Sequence, residues 1–561
     1  MKPLNAILRG GAVLLGLCLL AGYSRAAVFT NGIVASTHPL ATDAGLAILE
    51  SGGNAIDAAI TVGLTLGVVD GHNSGIGGGC FMLIRLADGR FVAIDGREKA
   101  PAAATRDMFI RDGKADPALS QTGALASGVP GEVAAFEFAS RNFGKKSFAD
   151  LCAPGAAIAK RGFKISESYA ARLKGVANDL GKFEASRQIF FRDGNPLAAG
   201  AVLKQTDLAK TYEALGKQGG DWFYHGPFAQ AAAAWMKTNG GIMTARDFAD
   251  YRVSIRQPVS ARYRGYEVVT FPPPSSGGVH LLEMLNTLGQ FDLKKMDEAA
   301  RLHVIAEAMK LAFADRAYWL GDPDFVKVPH NLVAPEYGAE LARKINVEHA
   351  MPLPEHGTPP DAADAVFSDK HTTHFSVADR AGNWVACTCT VNTGFGSKVV
   401  VPGTGVVLND QMDDFSAQAG VPNYFGLVGS EANAVAPGKR PLSSMTPAIV
   451  LKDGQPVIAI GAAGGPKIIT CVLLELVSLL DLDRTLTEAL SAPRIHQQWS
   501  PDELYVESGV ADDVKKNLKA RGQKVVEVKG GAVSHAVARS ADGKSFVGAA
   551  DPRSGGTAAG W

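Results

Sequence analysis

The sequence predicts a mixed α/β protein, and three observations predict it. Alanine-rich helical runs fill much of the chain before residue 372, around Ala41–Glu50, Asn54–Leu66 and Leu302–Phe313. The part after residue 372 alternates strands with helices: Ala448–Leu451, Val457–Ile460, a helix over 467–480, a helix near Asp512–Ala520, then Lys524–Val528 and Ala536–Ala549. Between the two lies a β-hairpin, where Phe375 and Val377 alternate with Ser376 and Ala378, Asp379 to Asn383 supply turn chemistry, and Trp384 to Asn392 resume strand composition. No internal repeat or low-complexity tract interrupts this order.

Taken from the amino terminus, residues 1–26 carry Lys2 and Arg9, an apolar stretch from Gly11 to Ala21, and Ser24-Arg25-Ala26 as a small-x-small cleavage site. That is the pattern of a signal peptide, with an apolar run too short to span a bilayer. Cys18 follows Leu17 rather than a small residue, which argues against lipidation. The whole chain has 56 basic and 56 acidic residues; the leader removes Lys2, Arg9 and Arg25 and no acid, leaving 53 against 56, or −3. So near-neutral a chain has no electrostatic case for nucleic acid. The glycines from Gly75 to Gly79 run into a strand, so the helix start that a dinucleotide fingerprint needs is missing.

Cysteine usage points to buried thiols. Cys80, Cys152, Cys387, Cys389 and Cys471 remain after the leader, their spacing matches no zinc motif, and most lie in apolar runs. Cys387 and Cys389 share one face of the second hairpin strand. Neither a metal nor a cofactor is expected.

The hairpin carries the chemistry. A polar, proline-rich stretch from Pro352 to Ala362 precedes Thr372-Thr373-His374. A loop leading into a threonine that opens a core strand suits an enzyme that cuts its own precursor, freeing an α-amine beside the hydroxyl it must activate. If Arg380-Ala381-Gly382 form a three-residue loop with Gly382 left-handed, partners sum to 762 and Thr390 lies opposite Thr372. An α-amine titrates near ~7.7–8.0 and can act as general base. By itself this pattern is also that of an ordinary threonine pair in a sheet.

Flanking motifs decide between these. Thr372-Thr373-His374, Thr390 to Gly396, Leu408 to Ser416, Lys439 to Met445, Gly464-Gly465 and Asp551 to Ser554 follow one another in order. Before them come Gly52 to Ala59, Ser74 to Gly79, Arg97 to Pro101 and Pro272 to Gly278. Together they resemble the γ-glutamyltransferases (γ-glutamyltranspeptidases, glutathione hydrolases) of the N-terminal-nucleophile hydrolase superfamily, over nearly the whole mature chain.

The resemblance implies a four-layer α/β/β/α sandwich built jointly by two subunits cut from one precursor. Residues 27–371 would form the large subunit and 372–561 the small, catalytic one. It implies Thr372 as the nucleophile and Gly464 and Gly465 as the oxyanion hole, a role that a glycine pair between a strand and a helix start also suits. Their flanks, Gly461-Ala462-Ala463 and Pro466-Lys467, depart from the Ser-Pro and Ser-Arg of many relatives. Arg97, Ser443 and Ser444 fall where the family binds the substrate α-carboxylate, and Asn392, Gln411 and Asp414 where it binds the α-ammonium. Taken singly, Arg97 reads as a surface arginine, Asp413-Asp414 as a solvated turn, and Ser443-Ser444 as a loop or helix cap.

Implied substrates are glutathione and related γ-glutamyl compounds, with water, amino acids or dipeptides as acceptors, in the periplasm or secreted. The loop Gln418–Arg440 corresponds to the family's lid, with Phe425 at the place of its tyrosine. Two other readings stand beside this one: a cephalosporin or glutaryl acylase of the same superfamily, and a non-catalytic binding relative.

Overall fold

The computed structural model describes residues 28–359, 373–429 and 431–561. The expected signal peptide, residues 1–26, and the expected nucleophile, Thr372, lie outside the described residues. Two large antiparallel sheets dominate. The first runs in the order Ser254–Arg256, Phe91–Gly96, Gly79–Arg85, Trp384–Thr390, Thr373–Asp379, Gly32–Ser36 and Thr557–Gly560. The second runs Val259–Tyr263, Tyr266–Thr270, Ala448–Lys452, Gln455–Ala463, Val533–Arg539 and Phe546–Ala550. Each sheet takes strands from both sides of residue 372, so neither half of the chain closes a sheet alone.

Side-chain alternation explains why the central strands read as continuous apolar runs. On one face of the first sheet, Ile33, Phe81, Leu83, Trp384 and Ala386 pack against Phe271, Ile449, Ala459 and Val537 of the second. The other face, with Met82, Ile84, Val377 and Val385, packs on the helices Pro39–Glu50, Ala55–Val69, Glu132–Phe143 and Phe148–Arg161. The second sheet is covered on its far side by Ser276–Leu288, Glu298–Trp319 and Lys467–Leu480. Both sheets are therefore sealed on both faces.

Local chemistry sets the element ends. Asn54 caps the helix Ala55–Val69 through a capping box with Asp57, and at its other end the helix runs on past the expected Leu66 to Val69. Gly382 takes φ +97° in the hairpin loop, which favours glycine. The register is the expected one: Thr373 faces Cys389, Phe375 faces Cys387 and Ala378 faces Trp384. The strand read over Ala536–Ala549 is in fact two, Val533–Arg539 and Phe546–Ala550, turning at Gly543. No helix among the described residues is long and apolar enough to cross a membrane.

Candidate active site

The hairpin's second strand ends at Thr390, which pairs with Gly79 of the neighbouring strand. Thr388 and Thr390 share a face with Trp384 and Ala386, so both look toward the second sheet. The Thr390 hydroxyl accepts from the Asn392 backbone N–H at 2.8 Å. This turns the chain sharply, and Asn392 takes φ +78°. Its side-chain NH2 then donates to the Asp410 carbonyl at 3.0 Å.

That bond joins the turn to the segment that carries the acids. Asn409 is the hub: its Nδ2 donates to the carbonyls of Gly77 and Gly128, both at 2.8 Å. Its Oδ1 accepts from Gly128 N and Gln411 N. The short 3-10 turn Gln411–Asp414 is thereby fixed and wholly buried, not a solvated turn. Gln411 Nε2 donates to Asp414 Oδ2 at 2.7 Å.

Arg97 is the other half. It is fully buried just beyond the strand Phe91–Gly96, and its Nη2 donates to Asp414 Oδ2. Its Nε donates to the Pro441 carbonyl at 3.0 Å and Nη2 to that of Leu442 at 3.1 Å. Those carbonyls belong to the segment that continues into Ser443 and Ser444, both buried. The serine segment is itself bound to the start of helix Ser276–Leu288: Ser275 bridges Ser443, and Ser276 Oγ donates to the Ser443 carbonyl at 2.8 Å. Arg97, Gln411 and Asp414 thus meet beside the backbone that leads into the serine pair.

Two polar atoms of this cluster, Asn392 Oδ1 and Gln411 Oε1, have no hydrogen-bond partner among the described residues, and a third, Arg97 Nη1, has no hydrogen bond but meets the Glu98 carboxylate at 3.5 Å. One is a cationic donor and two are neutral acceptors. Buried polar atoms are ordinarily satisfied, so the set offers one donor and two acceptors to a ligand with matching groups.

Gly464 and Gly465 lie between the strand Gln455–Ala463 and the helix Lys467–Leu480, with φ +138° and +63°. Pro466 is the N-cap residue rather than the first helical one. The same strand touches the hairpin directly, since a Cβ on Gly461 would lie 2.4 Å from the His374 ring. The glycine pair follows the end of this strand of the second sheet. In the segment expected to be the lid, Tyr424 is exposed, while Phe425 is half-buried and its carbonyl accepts from Gln498 Nε2 at 3.3 Å.

Two further residues escape sequence reading. Glu98 is buried beside Arg97 Nη1 at 3.5 Å, and burial pushes its carboxyl up to about 8. Arg316, from the buried helix Glu298–Trp319, donates its Nε to Ser276 Oγ at 3.1 Å. Burial pulls its guanidinium well below the ordinary value, and the Asp414 charge opposes that. An Arg-Glu pair after a strand, or an arginine late in an amphipathic helix, looks like surface in sequence. Only the packing shows otherwise. Beside them, burial raises Asp413 to about 7 while the Ser120 hydroxyl, at 2.5 Å, opposes the shift.

Comparisons with known proteins agree with this arrangement. The family model described as gamma-glutamyltranspeptidase matches residues 41–561. A glutathione hydrolase proenzyme of Escherichia coli (strain K12) is 46% identical, over 93% of this chain and 90% of its own length. An acylase ACY 1 proenzyme of Pseudomonas sp. (strain SE83) is 37% identical, over 94% and 93%. Among solved structures, a cephalosporin acylase from Bacillus halodurans superposes with a TM-score of 0.86 at 29% identity, covering 100% of this chain and 99% of that one. The Helicobacter pylori gamma-glutamyltranspeptidase gives 0.56 at 41% identity, covering 56% and 92%. A match this long, on a chain whose buried cluster assembles from the family's own motifs, makes this protein a member of the γ-glutamyltranspeptidase family of N-terminal-nucleophile hydrolases.

Proposed function

We propose that this chain is an autoprocessed γ-glutamyl hydrolase/transferase acting on glutathione and related γ-glutamyl compounds. The observation that carries the reading is the buried cluster of Arg97, Gln411 and Asp414 with its unsatisfied acceptors Asn392 Oδ1 and Gln411 Oε1. Arg97 Nη1 suits an α-carboxylate, to which Ser443 and Ser444 would add their hydroxyls; Asn392 Oδ1 and Gln411 Oε1 suit an α-ammonium, with Asp414 supplying charge. The Thr372 hydroxyl attacks the γ-carbonyl, and its own α-amine, freed by cleavage before Thr372, takes the proton. Thr390 steadies the nucleophile. The Gly464 and Gly465 backbone N–H groups stabilise the negative oxygen as the amine leaves. Water or the amine of an amino acid or dipeptide then resolves the acyl-enzyme ester.

In this reading the mature protein has a large subunit, 27–371, and a small one, 372–561. Together they form the four-layer α/β/β/α sandwich, after export to the periplasm or beyond and loss of residues 1–26. The strand membership of each sheet supports a joint fold, because both halves supply strands to both.

A second reading, a glutaryl or cephalosporin side-chain acylase, is favoured by the acylase relatives and the TM-score of 0.86. A glutaryl group lacks the α-ammonium, so it would leave Asn392 and Gln411 unsatisfied. The test is intact-mass analysis and amino-terminal sequencing, followed by γ-glutamyl-p-nitroanilide against glutaryl-p-nitroanilide. A small subunit beginning Thr-Thr-His, with preference for the γ-glutamyl substrate and no cleavage in Thr372→Ala, is expected. Preference for the glutaryl substrate moves the assignment to the acylase, and cleavage in Thr372→Ala removes Thr372 as nucleophile.

A further inference from the structure

Outside the site, the first sheet assembles a thiol cluster that spacing alone does not reveal. Cys389 pairs directly with Cys80 across the strands Trp384–Thr390 and Gly79–Arg85, and Cys387 lies two residues from Cys389 on the same face. The three sulfurs lie within 4.8 Å of one another, and Cys387 and Cys389 are 3.8 Å apart. All three side chains are fully buried on the face that meets the helices.

An acid stands beside them. Glu132 opens the helix Glu132–Phe143, is fully buried and lies against Cys389, just outside the reach within which the three sulfurs meet. Gly96 gives the group room, since a Cβ there would come within 3.2 Å of Cys80 Sγ.

We propose that Cys80, Cys387 and Cys389, with the Glu132 carboxylate turning in from beside Cys389 as the fourth donor, form a buried structural site for a thiophilic divalent cation, Zn(II). Four donors about 2.3 Å from a zinc ion lie about 3.8 Å apart at tetrahedral corners, the spacing found for Cys387 and Cys389. On binding, the ion displaces the thiol protons to solvent and the sulfurs bind as thiolates, with no change of oxidation state. Three thiolates and one carboxylate suit zinc better than the hard cations magnesium or calcium. Because the sulfurs are sealed, the ion enters as the chain folds and leaves only on unfolding. It clamps together two strands whose next residues are Thr390 and Gly79, at the edge of the candidate active site.

The test uses the full-length protein as purified from cells grown with added zinc, and from cells grown with cobalt instead. Elemental analysis should find about one zinc per chain, released only in denaturant. The cobalt form should show thiolate-to-cobalt charge transfer in the near ultraviolet and strong tetrahedral visible bands. Cys387→Val and the more conservative Cys387→Ser should both lose most of the metal and the cobalt bands, and lower Tm. The proposal is overturned by metal content at trace level in wild type, or by equal content in both variants. A denatured thiol count two short, marking a disulfide within the trio, overturns it as well.

Discussion

Arg97 and Asp414 form an ion pair in which both side chains are wholly buried. The two residues expected to meet opposite ends of one substrate thus neutralise each other. Breaking such a pair strands a charge in the interior and costs about 3–5 kcal/mol. Arg97→Ala should therefore lower Tm as well as raise KM for γ-glutamyl-p-nitroanilide. Arg97→Lys should recover part of the stability but little of the KM, because one ammonium cannot make bonds to Asp414, Pro441 and Leu442 together with a substrate carboxylate. Unchanged KM in both variants would remove Arg97 from substrate binding.

Glu98 should make stability fall with rising pH. Its carboxyl lies at about 8 in the fold, against an ordinary value of 4.5. Between those values the folded chain holds a proton that the unfolded chain has released. Stability at this one site therefore drops by about 1.4 kcal/mol per pH unit across that window and is level above it. Glu98→Gln keeps the shape and removes the titration. The Tm of the variant minus that of wild type should increase steadily from about pH 5 to about pH 8. A difference that does not change with pH would mean Glu98 ionises normally.

Much of this fold was legible because its long elements obey simple periodicities. The helix over 467–480 and the hairpin register both appear where apolar spacing and turn chemistry put them. The candidate site was legible only as a set of motifs. Arg97, Asp413 and Asp414 look solvated residue by residue, and their burial comes from contacts between segments 293 and 317 residues apart. Glu98 and Arg316 were missed for the same reason. So was the meeting of Cys80 with Cys387 and Cys389, since pairing between distant strands leaves no mark in local spacing.

The contact between Gly461 and His374 offers a test of how tightly the two sheets are keyed. The His374 ring is held at both nitrogens, by Thr388 Oγ1 at 2.9 Å and Ser376 Oγ at 3.0 Å. It cannot swing away from a new methyl group. Gly461→Ala should destabilise by about 1–3 kcal/mol through overpacking. Adding His374→Ser should cost less than the sum of the single changes, because it removes the clashing ring. Strict additivity would place the strain elsewhere.

Thr373 provides the last test, and it separates anchoring of the hairpin from chemistry. Its hydroxyl donates to Asp70 Oδ2 at 2.9 Å, and the same carboxylate accepts from Asn73 Nδ2. Asn73 in turn gives its carbonyl to Val391 N, so one acid ties the start of the first hairpin strand to the end of the second. Thr373→Val keeps a β-branched side chain that suits a strand but leaves the buried carboxylate short of one bond, a loss of about 1.5–3 kcal/mol. Since Thr372 is the preceding residue, looser anchoring should slow precursor cleavage while leaving the product masses unchanged. Thr373→Ser should restore the rate toward wild type, because only the hydroxyl matters in this account. The check is a time course of precursor and subunit bands after synthesis. Equal cleavage rates in wild type and Thr373→Val would show that the Asp70 anchor has no part in presenting the hairpin for maturation.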